Sequence, residues 1–88
     1  MSNIALTDSD LIAEVEAIIR SVAADPDAAV WHNPMAGDRL EFVSVSPGFR
    51  DMTQVERQER LWEAIRARLG QEALRIARVF TRTPDEVK

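Results

Sequence analysis

The chain has 88 residues, which is enough for one small hydrophobic core but not for two. Its 45% hydrophobic and 30% charged residues are typical of a folded globular domain. It contains no cysteine, which excludes disulfides, a cysteine nucleophile and thiolate ligands for an iron–sulfur cluster. We expect one cytoplasmic domain over residues 1–88, with residues 1–6 flexible and no membrane-spanning segment.

The formal net charge of −4 is distributed unevenly along the chain. Residues 1–47 carry two basic and eight acidic side chains, a net of −6. Residues 48–88 carry nine basic and seven acidic side chains, a net of +2. Nucleic acid would be repelled by the molecule as a whole but would tolerate the surface of the second half.

The N-terminal third predicts a helix followed by a short strand. Thr7 is a suitable N-cap and Pro26 a stop. Between them five apolar residues recur at helical spacing, namely Leu11, Val15, Ile18, Ile19 and Val22. Residues 28–32 then predict a strand in which Val30 and Trp31 are buried. The proline, glycine and asparagine of residues 33–38 predict a loop.

A second strand is predicted over residues 40–46, which are rich in β-branched and aromatic side chains. The alternation of side chains places Leu40 and Phe42 on one face and Val43 and Val45 on the other. Pro47 with Gly48 then predicts a turn.

A second helix and a last strand complete the predicted order. Thr53 and Glu56 have the spacing of a capping box, which predicts a helix over residues 53–69. Its apolar face is predicted to comprise Val55, Leu61, Trp62, Ile65 and Leu69. Residues 73–81 predict a strand with a bulge between Ile76 and Val79. The order αββαβ is α+β, with a three-stranded sheet packed against helices.

Enzymatic patterns are missing from the sequence. There is one histidine, so no histidine cluster exists, and the His-Glu-x-x-His and serine-triad patterns are absent. The glycines Gly37, Gly48 and Gly70 are isolated, so they form neither a phosphate-binding loop nor the GxxG loop of KH domains. We therefore predict a protein that is not an enzyme.

A turn carrying phenylalanine precedes an arginine-rich helix and a strand that closes on Thr83 and Pro84 in the segments RLEFVSVSPGFRDMTQVERQERLWEAIRARLG and QEALRIARVFTRTPDE. This order of features resembles the BolA-like proteins, and the resemblance carries expectations about fold and function. It implies a fold similar to class II KH domains and a regulatory accessory role. It also implies a monothiol glutaredoxin as partner, with a shared two-iron two-sulfur cluster held by a loop histidine and a histidine near the last strand.

Only the first of these two histidines has a counterpart. His32 matches the loop position, whereas Arg75 stands at the second position. A guanidinium stays protonated and is a poor metal ligand. We therefore expect no cofactor of the chain's own, and a cluster bridged to a partner would have only His32 from this chain.

Five arginines form the predicted basic surface, namely Arg57, Arg60, Arg75, Arg78 and Arg82. The leading hypothesis is a non-catalytic BolA-like protein that uses such a surface to bind a protein partner. The first alternative is a KH-like nucleic-acid-binding regulator that uses the second helix and the last strand. The second is a small interaction domain of a multiprotein assembly, and a homodimer also stays open.

Overall fold

The two helices and three strands follow one another in the predicted order. The computed structural model describes residues 6–87, so the flexibility predicted for residues 1–5 lies outside the described residues. The elements are α1 (Asp8–Ala23), β1 (Ala29–Met35), β2 (Arg39–Val45), α2 (Gln54–Leu69) and β3 (Ile76–Arg82). Short 3-10 turns span Pro47–Phe49, Gly70–Arg75 and Pro84–Val87. The α+β class is confirmed.

The three strands form one mixed sheet in the order β1-β2-β3. β1 and β2 are antiparallel, whereas β2 and β3 are parallel and are connected through α2. Leu40 and Phe42 lie on one face of β2 and join the core cluster to which both helices contribute, with Leu11 from α1 and Leu61 from α2. Both helices therefore cover the same face of the sheet, and no helix of the described residues covers the opposite face.

The β1–β2 hairpin is longer than predicted. β1 continues through Pro34 to Met35, so the predicted loop shrinks to residues 36–38. Gly37 and Asp38 adopt positive φ angles of 75° and 58° there, which closes the turn. Pro34 is tolerated because β1 is an edge strand. Trp31 was predicted to be buried, but it is 54% exposed because it points away from the helices.

The buried face of α2 differs from the predicted one in its first turn. Val55 is 66% exposed, whereas Arg57 is only 3% exposed. Arg57 lies four and eight residues before Leu61 and Ile65, so its side chain shares their helix face. The prediction that Val55 packs in the core and that Arg57 belongs to the surface is wrong.

The buried guanidinium of Arg57 connects three parts of the chain. Its Nε donates to the carbonyl oxygens of Phe49 at 3.1 Å and Met52 at 3.0 Å, in the turn between β2 and α2. Its Nη1 donates to the carbonyl oxygen of Thr81 at 3.2 Å, in β3. Both terminal nitrogens also reach the carboxylate of Glu86, at 2.9 and 3.2 Å. The turn, the last strand and the C-terminal segment are thus fixed to one side chain.

The free edge of β3 is covered by polar side chains of α2. The amide nitrogens of Gln54 and Gln58 donate to the carbonyl oxygens of Thr81 and Val79, each at 2.9 Å. The predicted bulge is confirmed, because the register between β2 and β3 shifts between Leu40 and Glu41. β3 begins at Ile76, three residues later than predicted, since Gly70–Arg75 forms a 3-10 turn. Within residues 6–87, no helix is long and apolar enough to cross a bilayer.

Replacing Arg57 by methionine should destabilise the protein by about 2–4 kcal/mol, because buried carbonyl groups and the Glu86 carboxylate would lose their donor. Arg60→Met, at an exposed position of the same helix, should change stability by no more than about 0.5 kcal/mol. Urea unfolding followed by circular dichroism gives both values. Equal stability of the two variants would contradict the structural role of Arg57.

Acid should weaken the fold through Glu86, whose pKa is lowered to about 2, chiefly by the hydrogen bond from Arg57 and then by the backbone N–H of Thr83. Because the folded-state pKa lies below the ordinary value of 4.5, the stabilisation is complete above pH 4.5 and is lost as the pH falls towards 2. Glu86→Gln should therefore flatten the pH dependence of the urea midpoint across that window.

Asp85→Asn is the matched control, since the Asp85 carboxylate contacts Arg50 and not Arg57. It should retain the wild-type loss of stability in acid. If Glu86→Gln lost stability between pH 4.5 and 2 as steeply as the wild type, the Arg57–Glu86 contact would have no energetic consequence.

Candidate binding surface

The face of the sheet turned away from the helices carries a row of apolar side chains. Residues opposite one another in the register share a face. Trp31 of β1 is opposite Val43 of β2, and Val43 is opposite Phe80 of β3. The row therefore crosses all three strands, with Trp31 54% exposed and the other two partly buried. We call this side the open sheet face, and it comprises Trp31, Asn33, Glu41, Val43, Val45, Arg78, Phe80 and Arg82.

Two arginines lie over the ring of Phe80. The guanidinium carbons of Arg78 and Arg82 are 5.2 and 5.8 Å from the ring centroid, within the range of cation–π contacts. Arg78 also donates from Nε to Glu41 at 2.6 Å. That hydrogen bond, followed by one from Asn33, lowers the pKa of the Glu41 carboxyl. The Arg78 charge is thus balanced, while Arg82 forms no ion pair with any carboxylate of the described residues.

Arg75 does not belong to this surface. It ends the 3-10 turn before β3, and its side chain is 26% exposed. Its Nη1 donates to the carboxylate of Glu72 and to the carbonyl oxygen of Leu6, both at 2.6 Å. Its Nη2 pairs with Asp8 at 2.5 Å. The contacts with Glu72, in the first place, and with Asp8 raise the pKa of Arg75.

These contacts give Arg75 a structural task. They hold the beginning of α1 against the 3-10 turn before β3. Leu6, which was predicted to be flexible, is fixed on both sides, since its N–H also donates to Glu72 at 3.2 Å. A guanidinium that pairs with two carboxylates joins the segments that carry them, and it is not a metal ligand.

The five predicted arginines therefore do not form one basic surface. Arg57 is buried and Arg75 is held in ion pairs. Arg60 is exposed on α2 near Glu59 and Glu63. Only Arg78 and Arg82 lie together, on the two sides of Phe80. The prediction of a continuous patch is wrong. The position of an arginine along the chain does not show whether a carboxylate lies close enough in the fold to pair with it.

His32 is exposed and lies within β1, an edge strand that continues three residues beyond the predicted end at His32. Its register partner is Phe42, and the two ring centroids are 6.4 Å apart. In residues 6–87 no three histidine, cysteine, aspartate or glutamate side chains are grouped as metal ligands would be. The described residues thus offer one imidazole, and Arg75 stands at the position of the expected second one. This does not fit the paired-histidine site that the family resemblance implies.

The likeness of the chain to known proteins lies in its fold. No protein-family model and no curated protein matches the chain. Among solved structures, the crystal structure of a Bol-like protein from Babesia bovis superposes with a TM-score of 0.55. The match covers 97% of this chain and 93% of that chain at 24% identity. The chain has the BolA-like fold. At 24% identity, this likeness shows the fold, and it is the fold that the sequence motifs predict.

The open sheet face was missed by the sequence prediction, although part of its signal is present. Val43 and Val45 were placed on the face opposite Leu40 and Phe42, which is correct. Phe80 alternates with the buried residues Val79 and Thr81 in the same way. What the sequence lacks is the hairpin register that brings Trp31 next to Val43, because that register depends on a three-residue turn.

Proposed function

We propose that this chain is a non-catalytic BolA-like accessory protein that acts in the cytoplasm by binding another protein through the open sheet face. The observation that carries the proposal is the row of Trp31, Val43 and Phe80, in which Trp31 is 54% exposed, on a face that no helix of residues 6–87 covers. Tryptophan and arginine are enriched among the residues that dominate binding energy at protein interfaces. Trp31, which is half-exposed, and Phe80, which lies between two arginines, give the open sheet face this composition.

The chemistry of the face restricts the partner. Burying Trp31 and Phe80 requires an apolar patch on the partner, since large aromatic side chains contribute mainly through the area they bury. Arg82 favours a carboxylate at the edge of that patch, because it forms no ion pair with the described residues. The family resemblance implies a monothiol glutaredoxin, which we take as the first partner to test.

The proposed role needs no iron. His32 is one exposed imidazole, and Arg75 is engaged by Glu72 and Asp8. A partner held through the open sheet face would bind whether or not His32 is present. If the partner takes part in redox regulation, the redox state of the partner would then control the complex.

Truncating the aromatic row should abolish partner binding without unfolding the protein. We expect Trp31→Ala combined with Phe80→Ala to weaken binding of a cluster-free monothiol glutaredoxin by at least about thirtyfold, since residues that dominate an interface typically cost 2 kcal/mol or more on truncation. Isothermal titration calorimetry gives the affinity, and circular dichroism checks that the variant is folded.

The matched control is Val55→Ala, which removes an exposed apolar side chain from α2, away from the open sheet face. It should bind as the wild type does. Wild-type affinity of the folded double variant would refute the open sheet face as the interface. Failure of the wild-type protein to bind would refute the glutaredoxin as partner.

A second candidate function is favoured by Arg78 and Arg82. A phenylalanine with an arginine on each side can stack a base while the guanidinium groups contact the phosphates. It ranks second because Glu41 stands beside Arg78 and because the net charge is −4. Binding of a single-stranded oligonucleotide that weakens steeply with salt, and that Arg78→Glu with Arg82→Glu abolishes, would establish it. Absent or salt-independent binding would exclude it.

A further inference from the structure

A cleft lies at one end of the sheet, away from the aromatic row. The C-terminal half of α2, the 3-10 turn that follows and the first residues of β2 and β3 enclose a cleft of about 340 Å³. We call it the end cleft, and its defining side chains are Arg39, Trp62, Arg66 and Leu74. Only Arg39 among them belongs to a strand of the sheet, and it lies at the beginning of β2, away from the row of Trp31, Val43 and Phe80.

The charges that line the end cleft are all positive. Arg39 and Arg66 are its charged residues, and no carboxylate lines it. Arg66 makes no ion pair with the carboxylates of residues 6–87. Arg39 makes one long hydrogen bond of 3.4 Å, from Nη2 to the carbonyl oxygen of Ile76, which leaves most of its donors free. Every other arginine discussed so far is buried, paired or stacked, with the exception of the exposed Arg60.

Apolar groups occupy the rest of the cleft. The indole N–H of Trp62 donates to the side-chain oxygen of Gln58 at 3.1 Å, so its hydrogen-bonding need is met and its ring offers carbon surface. Ala73, Ile76 and Ala77 complete the wall. Leu74 stands on the rim with 78% of its surface exposed. Because Leu74 is so exposed, its side chain extends the apolar area of the cleft, which includes the Trp62 ring, beyond the cavity.

We infer that the end cleft binds a short acidic segment of a partner protein, in which a carboxylate stands next to a large aliphatic side chain. The carboxylate would pair with Arg66 and Arg39, and the aliphatic side chain would pack between Trp62 and Leu74. The volume is at the lower end of the range for small-molecule pockets, and most of the surface of Leu74, on the rim, is exposed to solvent. A peptide chain covers both the cavity and the rim, whereas a small molecule fills only the cavity.

This inference is distinct from the proposed use of the open sheet face, because no side chain of the end cleft belongs to the row of Trp31, Val43 and Phe80. A partner that covers this row leaves Trp62 and Leu74 free, and a partner that uses the end cleft leaves Trp31 exposed. Loss of binding in the variants of one surface therefore says nothing about the other.

Two amidated octapeptides test the inference, one alternating glutamate with leucine and the other with glutamine in place of every glutamate. We expect the acidic peptide to shift the amide signals of residues 70–77 and the indole signal of Trp62 in a saturable way, measured by nitrogen–proton correlation spectra. Arg66→Glu should weaken this binding by roughly tenfold or more, because a charge-assisted hydrogen bond becomes a repulsion.

Arg60→Glu is the matched control, since it makes the same charge reversal at an exposed position of α2 that does not line the cleft. It should bind the acidic peptide as the wild type does, and Leu74→Ala should weaken binding without altering the fold. Three outcomes would overturn the inference: no saturable shift up to millimolar acidic peptide, equal binding of the glutamine peptide, or unchanged binding in a folded Arg66→Glu variant.

Discussion

The arrangement of the whole domain depends on one buried guanidinium. Arg57 is 3% exposed and satisfies carbonyl groups of the β2–α2 turn and of β3, together with the carboxylate of Glu86. An arginine can do this because its five donors have a fixed planar geometry, which a lysine lacks. With the turn and β3 held to α2, the parallel pairing of β2 and β3 places Phe80 beside Val43. The aromatic row on the opposite face is therefore a consequence of an interaction on the helix side.

A second arginine has a structural role at a position where the family resemblance implies a metal ligand. Arg75 stands where the family resemblance expects a histidine ligand, and it holds Glu72, Asp8 and the carbonyl oxygen of Leu6. Three contacts of this kind keep the beginning of α1 in place. A position that serves metal chemistry in the resembled family thus serves the packing of the N-terminal helix here, which is why we assign binding to the sheet surface instead.

The helices were predictable because short-range chemistry defines their ends. Thr7 accepts the N–H of Asp10, and Thr53 and Glu56 form the reciprocal capping box. The burial of single residues was less predictable. Hydropathy identifies Trp31 as a core residue, but the hairpin register turns it outwards. It also counts Arg57 as polar, although residues 57, 61 and 65 have the spacing of one helix face.

The candidate surface was predictable only in part, for a related reason. Arg78 and Arg82 lie together because two strand residues separated by four point to the same face. Whether the other arginines are paired or free depends on which carboxylates lie near them in the fold. Glu86 and Glu72 are 29 and 3 residues away from the arginines they bind, so sequence separation gives no guide.

The central claim is that this protein binds its partner without holding a metal cluster. Anaerobic co-expression with a monothiol glutaredoxin, co-purification and a visible circular-dichroism spectrum test it most directly, with His32→Ala measured in parallel. We expect a complex that forms equally with both proteins and whose spectrum shows no signal that depends on His32. A coloured complex whose visible signal is lost in the His32→Ala variant would contradict the claim.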